Sequence, residues 1–196
     1  MNESYVFLAE GFEEMEALSA VDILRRAGMP VRTVSISASL QVRGAHGIIV
    51  TADTLFDNTL FTDAAWLILP GGLPGAENLY NYAPLQGLLR NQAKSPEGRI
   101  AAICASPAFI LGRMGLLKGE KATSYPGTEG MLSGAEVVQS AIVVSGKFVL
   151  GNGPAAAQAW ALSIVNCELG EQTSTRVAND LLLYPQSNDD LDWSFG

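Results

Sequence analysis

Basic residues, histidine and cysteine are scarce in this chain. Its 196 residues include 12 Lys and Arg against 20 Asp and Glu, with one histidine and two cysteines, and the formal net charge is -8 at pH 7. Attraction to a nucleic-acid backbone or to an anionic membrane surface depends on clusters of Lys and Arg, and the sequence contains no such cluster. We therefore expect neither a nucleic acid nor a membrane among its partners.

Long apolar runs are also missing. No stretch is long enough for a membrane helix, and the first residues lack the basic and apolar regions of a signal peptide. We expect a cytoplasmic protein, and in a reducing compartment Cys104 and Cys167 remain free thiols. Hydrophobic residues make up 48% and charged residues 16% of the chain, as in packed globular proteins. The length favours one domain over residues 1–184, followed by an acidic, polar tail over 185–196.

Short apolar segments alternate with helical patterns along the first half of the chain. Apolar residues at helical spacing follow the first strand, and Gly28 is a typical helix stop. This alternation predicts an α/β fold, a three-layer sandwich with a mostly parallel sheet and helices on both faces. The predicted elements are strands at 5–8, 31–36, 65–69 and 99–104, helices at 14–27 and 84–93, a helix after Cys104, and a hairpin-like excursion over 40–52.

The second half of the chain has shorter strands and ends in helices. Strands are predicted at 122–124, 137–139, 142–145 and 148–150, followed by a long helix from Pro154 and a last helix near 173–183. Cys167 falls in the long helix, where a free cysteine commonly acts as a small hydrophobic residue. We expect no chemistry from it.

Cys104 lies where a buried strand passes into a helix. A sharp turn between strand and helix needs small residues two positions before and two positions after its central residue, and Ala102 and Ser106 meet this need. Pro107 suits the first turn of a helix, where an N–H group has no helical partner. The positive end of the helix stabilises a thiolate, so we expect a lowered pKa and a nucleophilic sulfur at Cys104. The alternative is that Cys104 is merely the last core residue of the strand.

Two further loops are expected beside Cys104, because the carboxyl ends of parallel strands share one edge of the sheet. The glycines of the loop at 69–72 leave backbone N–H groups exposed, and such groups stabilise an oxyanion. The other loop carries an acidic cluster, in which helix-dipole compensation explains Glu13 and Glu14 well. Glu16 is a candidate acid, since burial near a thiolate would raise its pKa and let it donate a hydrogen bond to sulfur.

Three motifs in this order resemble the ThiJ/PfpI superfamily and, within it, the deglycase branch. They are Glu-Glu-Met-Glu at 13–16, Leu-Pro-Gly-Gly at 69–72 and Ala-Ala-Ile-Cys-Ala at 101–105. The resemblance implies a flavodoxin-like fold, commonly in a homodimer, with a reactive cysteine and a carboxylic acid partner. The site residues that it implies are Cys104 and Glu16, with backbone donors at Gly71, Gly72 and Ala105.

The chain departs from the superfamily at positions that would supply a base or a cation. Ala105 follows Cys104 where peptidase-like members carry a histidine, and Tyr125 stands where the deglycase branch often has one. His46 and Asn152 take the places of two arginines that this branch puts near the mouth of the site. Tyr125, His46 and Asn152 are therefore pocket candidates, and a surface or dimer contact is the alternative role for His46.

Two functions of different classes fit Cys104 and Glu16. In the first, the thiolate attacks a small electrophilic carbonyl substrate while Glu16 handles the proton, as in a glyoxalase, a deglycase or a small-molecule hydrolase without metal or organic cofactor. In the second, the protein is an oxidative-stress sensor or chaperone in which Glu16 holds an oxidised Cys104. A link to thiamine biosynthesis is implied by the family name alone.

Overall fold

Strands and helices alternate along the chain as the sequence predicts. A computed structural model describes residues 1–58, 61 and 63–183, so the predicted tail at 185–196 lies outside the described residues. Within them the strands are β1 (Ser4–Leu8), β2 (Val31–Ser35), β3 (Gln41–Arg43), β4 (Ile49–Thr51), β5 (Thr54–Leu55), β6 (Trp66–Leu69), β7 (Arg99–Ile103), β8 (Lys121–Ala122), β9 (Glu136–Val137), β10 (Ile142–Ser145) and β11 (Phe148–Gly151).

The helices of the described residues fall between these strands and after the last one. They are α1 (Glu14–Arg26), α2 (Gly75–Asn81), α3 (Ala83–Lys94), α4 (Ala157–Leu169) and α5 (Glu171–Asp180). A π-helix over Pro107–Gly112 follows Cys104, and short 3-10 helices lie at Glu129–Met131 and Pro154–Ala156. In the part of the chain that the structure describes, we find no helix with the length and apolar character needed to cross a membrane.

The main sheet has β1 and β6 next to each other near its centre. Among the described residues its order is β10-β11-β7-β6-β1-β2-β5, with β10 antiparallel to β11 and the other neighbours parallel. The run β2-β1-β6-β7-β11 has the strand order of the flavodoxin-like sheet, which reverses between β1 and β6. The predicted α/β fold is confirmed, and the crevice where such sheets bind ligands opens beyond β1 and β6.

Helices cover both faces of the sheet because successive strand residues are apolar on both sides. On one face, α1, α4 and α5 pack against strand residues such as Val6 and Ile68. On the other face, α2, α3 and the π-helix pack against Phe7 and Leu67. The three layers leave the loops at the carboxyl edge of the sheet to carry the polar groups.

Several predicted elements differ in detail from the structure. The helix α2 was not predicted, because the Pro74-Gly75 pair at its start is typical of a turn. The helix predicted from Pro154 becomes regular at Ala157, and the last helix begins and ends two to three residues earlier than 173–183. The strands predicted at 122–124 and 137–139 are the short β8 and β9, which pair with each other outside the main sheet. The predicted hairpin is confirmed as antiparallel β3 and β4.

Candidate active site

Cys104 lies in a strained turn directly after β7. Its φ is 63°, in the left-handed region that a residue with a side chain seldom adopts. The Cys104 N–H donates to the Gly151 carbonyl at 2.9 Å, and the Cys104 carbonyl accepts from the Tyr125 N–H at 2.8 Å. Both predicted small flanks, Ala102 and Ser106, are fully buried. The backbone on both sides therefore holds the thiol in the sharp turn that the sequence predicts.

The glycine loop after β6 lies directly against this turn. The Ser106 hydroxyl donates to the Pro70 carbonyl at 2.6 Å. A Cβ atom placed on Gly71 would lie 2.6 Å from the Cys104 Cβ and 2.8 Å from the Glu16 Oε2. Since real Cβ atoms do not approach other atoms so closely, glycine is required at position 71. The absence of a side chain lets the thiol and the carboxyl group meet.

Glu16 lies on the first turn of α1 and is completely buried. The Gly71 N–H donates to Oε2 at 2.7 Å, and the carboxyl group lies beside the Cys104 thiol, with no hydrogen-bond partner recorded for its Oε1 among the described residues. Burial raises the pKa of Glu16 to about 7, in the predicted direction. Because the Gly71 N–H is used by Glu16, the oxyanion donors expected from the sequence are left to Gly72 and Ala105.

The pKa of Cys104 moves in the opposite direction from the prediction. Burial and the charge of the Glu16 carboxylate raise the pKa of the thiol to about 12, while the N–H groups of Gly72 and Ala105 act to lower it. The thiol is only 7% exposed, and the helix that follows is a six-residue π-helix beginning at Pro107. The expected lowering by a helix N-terminus is therefore wrong, because desolvation of the thiolate outweighs it.

Cys104 and Glu16 form a single proton-sharing pair. Burial is the first cause of the high pKa of the thiol and the charge of Glu16 is the second, so the two groups titrate as a pair whose first proton is lost at a pKa of about 7. The singly ionised pair is either a thiol beside a carboxylate or a thiolate beside a carboxyl group. Hydrogen bonds from Gly72 and Ala105 stabilise the thiolate form. In the thiolate form of the pair, the sulfur would be nucleophilic without an adjacent histidine.

A second pair of carboxylates lies at the N-terminus of α1. Glu13 caps the helix, since its Oε2 accepts from the Glu16 N–H at 2.7 Å. Glu14 accepts from the His46 N–H at 2.8 Å, and its Oε2 lies 2.7 Å from the His46 Nδ1. Both carboxylates are buried, whereas the His46 side chain is 69% exposed. The helix dipole explains Glu13 and Glu14 from sequence alone, but it does not predict the contacts of Glu14, because these involve the hairpin.

Ligand-type atoms of Glu13, Glu14 and His46 lie within 4.8 Å of one another. The carboxylate oxygens already accept hydrogen bonds from Glu16 and from the hairpin. Internal hydrogen bonding accounts for the short distances, and we assign no metal to this cluster.

The three pocket candidates occupy different places around the site. Tyr125 is half-exposed and lies beside Gly153, where an added Cβ would be 3.7 Å from the ring. Asn152 follows Gly151 and lines a cavity of about 240 Å³. His46 lies at the hairpin tip, bound to Glu14. Tyr125 therefore reaches Cys104 through its backbone, while neither Asn152 nor His46 is a recorded partner of Cys104 or of the Glu16 carboxyl group within the described residues.

A strained cysteine turn at the carboxyl edge of a flavodoxin-like sheet, with a buried glutamate against the sulfur, is a site suited to thiol chemistry. The model of the DJ-1/PfpI family matches residues 3–167 of the chain. The chain belongs to the DJ-1/PfpI family, and the resemblance inferred from the three motifs is confirmed.

The chain is similar to proteins from several different organisms. Protein DJ-1 homolog B of Arabidopsis thaliana is 36% identical over 96% of this chain and 45% of its own length. Deglycase PH1704 of Pyrococcus horikoshii is 32% identical over 78% of this chain and 90% of its own. The solved structure of oxidized Toxoplasma gondii DJ-1 has a TM-score of 0.88 and 34% identity, covering 95% of this chain and 100% of that one. The chain spans about half the length of the plant relatives it matches.

Proposed function

We propose that the protein is a cysteine-dependent enzyme that acts on small reactive carbonyl compounds, with glyoxalase or deglycase chemistry. The observation that carries this proposal is the contact between the Cys104 thiol and the buried Glu16 carboxyl group, organised by Gly71. A relative that bears the name deglycase, at 32% identity, supports the choice of substrate class.

The first chemical step needs only groups that surround Cys104. The thiolate attacks the carbonyl carbon, a carbon–sulfur bond forms, and the electron pair of the broken C=O π bond moves to oxygen. Glu16 in its acid form then gives its proton to that oxygen, which yields a hemithioacetal and leaves a carboxylate. The N–H groups of Gly72 and Ala105, which face the sulfur, are placed to stabilise the developing oxyanion. No histidine takes part in this step.

Burial of the sulfur supports a small substrate. Cys104 is 7% exposed, so a compact aldehyde reaches it more readily than a folded protein surface or a peptide chain does. Burial also raises the energy of the thiolate and so opposes its formation, which favours a strongly activated electrophile. An aldehyde beside a second carbonyl group meets both conditions.

Methylglyoxal consumption tests the enzymatic proposal. We expect turnover by the wild-type protein, loss of turnover in Cys104→Ala, and a decrease of at least about 100-fold in Glu16→Gln, the range typical of general acid catalysis. Cys167→Ala removes the other free thiol, which lies in α4, and is the matched control with wild-type activity. Absence of turnover in the wild type, or full activity in Cys104→Ala, contradicts the proposal.

Oxidation sensing is the second candidate function, and one finding favours it: a relative with 34% identity has been solved in an oxidized form. A sulfinate at Cys104 would lie beside Glu16, whose raised pKa lets it donate a hydrogen bond to the oxidised sulfur. Peroxide treatment followed by peptide mass analysis is the test. Oxidation of Cys104 before Cys167 supports the sensing function, and oxidation of Cys167 first contradicts it.

We also propose a cytoplasmic homodimer that forms through α1 and the hairpin. Large apolar side chains are exposed on both the helix and the hairpin, and Glu14 connects these two elements by a hydrogen bond. The exposed residues are Met15, Leu18, Ile48 and Ile49. A second copy of the chain would cover them, and Met15→Lys should then yield a monomer in sedimentation experiments. A monomeric wild-type protein contradicts this part of the proposal.

A further inference from the structure

The Glu13 side chain connects the helix cap to the proton-sharing pair. Its carboxylate is 7% exposed, and Oε2 accepts from the Glu16 backbone N–H at 2.7 Å. The Glu13 N–H in turn donates to the Gly71 carbonyl at 3.0 Å. Glu13 therefore touches both elements that hold the Glu16 carboxyl group in place, although it makes no contact with the thiol among those recorded for the described residues.

A buried negative charge next to a second carboxyl group favours the protonated form of that group. Glu13 supplies such a charge to Glu16, and it acts on Glu16 rather than on Cys104. Besides Glu13, the ionisable group recorded as acting on Glu16 within the described residues is Cys104 after β7, while Glu14 on the same helix turn pairs with His46. From the hairpin, the His46 Nδ1 lies 3.9 Å from the Glu13 Oε1. The glycine loop contributes backbone groups, and the face of α4 toward α1 is apolar.

We propose that Glu13 is a positioning residue that keeps the shared proton on Glu16 and thereby leaves the negative charge on the sulfur of Cys104. The inference rests on the proposed function only in the sense that both use a nucleophilic Cys104. The cap fixes the backbone of Glu16, and the charge of the cap selects the thiolate form of the pair over the carboxylate form. A neutral cap would allow the proton to pass from Glu16 to sulfur.

Glu14 provides a matched control for the charge of Glu13. The two residues are adjacent and both are buried. The Glu14 carboxylate, however, is paired with the imidazole of His46 at 2.7 Å and faces the hairpin. Neutralising Glu14 removes one negative charge at the adjacent position. It leaves unchanged the Glu13 carboxylate, which caps the helix and acts on Glu16.

The experiment is the pH dependence of iodoacetamide alkylation of Cys104, measured from pH 5 to 10 in a Cys167→Ala background. Glu13→Gln keeps an oxygen that can accept from the Glu16 N–H but lacks the charge. We expect its midpoint to fall by about one pH unit, and its rate on the high-pH plateau to fall up to about tenfold. Glu14→Gln and Glu13→Asp, which keeps the charge, should follow the parent profile. Circular dichroism and thermal unfolding establish that each variant is folded.

Three results overturn the inference. They are a Glu13→Gln profile that superimposes on the parent, a Glu14→Gln shift of equal size, and a Glu13→Asp profile that matches Glu13→Gln. If Glu13→Gln does not fold, the other two variants still test the inference. Both Glu13→Asp and Glu14→Gln must then show the alkylation midpoint of the parent protein, and a shifted midpoint in either overturns the inference. Failure of the proposed function gives a different result. In that case the parent protein shows the expected alkylation profile at Cys104 but does not turn over methylglyoxal.

Discussion

Replacing Glu16 with glutamine should make the protein more stable at neutral and alkaline pH. The pKa of Glu16 is raised from 4.5 to about 7 by burial in the folded protein, so the folded state binds this proton more tightly than the unfolded state. The resulting stabilisation is fully present below pH 4.5 and is lost as the pH rises through about 7. Glutamine cannot ionise, and it retains an oxygen that accepts from the Gly71 N–H.

The size of the effect follows from the interval between the two pKa values. One pKa unit corresponds to about 1.4 kcal/mol, so the interval from 4.5 to about 7 corresponds to about 3 kcal/mol. Relative to Glu16→Gln, the wild-type protein should therefore lose about 3 kcal/mol of unfolding free energy between pH 4.5 and pH 8. The complete burial of Glu16 means that solvent screening reduces this value little.

Urea unfolding of the two proteins at several pH values from 4.5 to 8, under reducing conditions, measures the difference. Asp53 titrates below this range, because its hydrogen bonds to Thr33 lower its pKa despite partial burial, and the other ionisable groups titrate in both proteins. Their contribution is common to both proteins and cancels in the comparison. A difference that stays constant with pH, or that grows in favour of the wild type, would refute the assignment of a buried, protonated acid at position 16.

Further expectations concern packing and buried polar groups. Gly71→Ala should destabilise the protein by about 1–3 kcal/mol in urea unfolding and slow the alkylation of Cys104, because the added Cβ meets the cysteine at 2.6 Å. Ser4→Ala should raise the melting temperature or leave it unchanged, with a gain of up to about 1 kcal/mol, since the buried hydroxyl has no partner among the described residues. Asp53→Asn should cost about 1 kcal/mol at pH 7, and the cost should decrease as the pH falls through the lowered pKa of the native carboxylate, which accepts from the Thr33 N–H at 2.8 Å.

Much of the fold could be predicted because local pattern and tertiary burial agree. The central strands are buried on both faces, so each is a short apolar run in the sequence, and α1 ends just before the glycine that the pattern identifies as a stop. The failures lie where a local signal conflicts with tertiary structure. Helix α2 was not predicted because the Pro-Gly pair at its start is typical of a turn. The helix after Cys104 is a π-helix, and the sequence gives no local signal for that wider form.

The candidate site was predictable where one residue type at one position determines the geometry. Cys104 with small flanks specifies the turn, and Gly71 permits the contact with Glu16. The burial of Glu13 and Glu14 could not be predicted, because it depends on the tip of the hairpin, about thirty residues further along the chain. A carboxylate at a helix N-terminus looks the same in sequence whether it faces water or another loop.

In the proposed function, the reactivity of Cys104 depends on its acid partner more than on the helix that follows it. A helix N-terminus stabilises a nearby negative charge by about 0.3–1 kcal/mol in ordinary cases, which is less than one pKa unit. Burial changes the pKa of an ionisable group by up to about 3–5 units, and burial together with the charge of Glu16 raises the pKa of the Cys104 thiol to about 12. A turn and a helix alone would therefore leave an inert thiol at neutral pH. In the proposed function, Glu16 makes the thiolate accessible, because it holds a proton of its own and has a pKa of about 7.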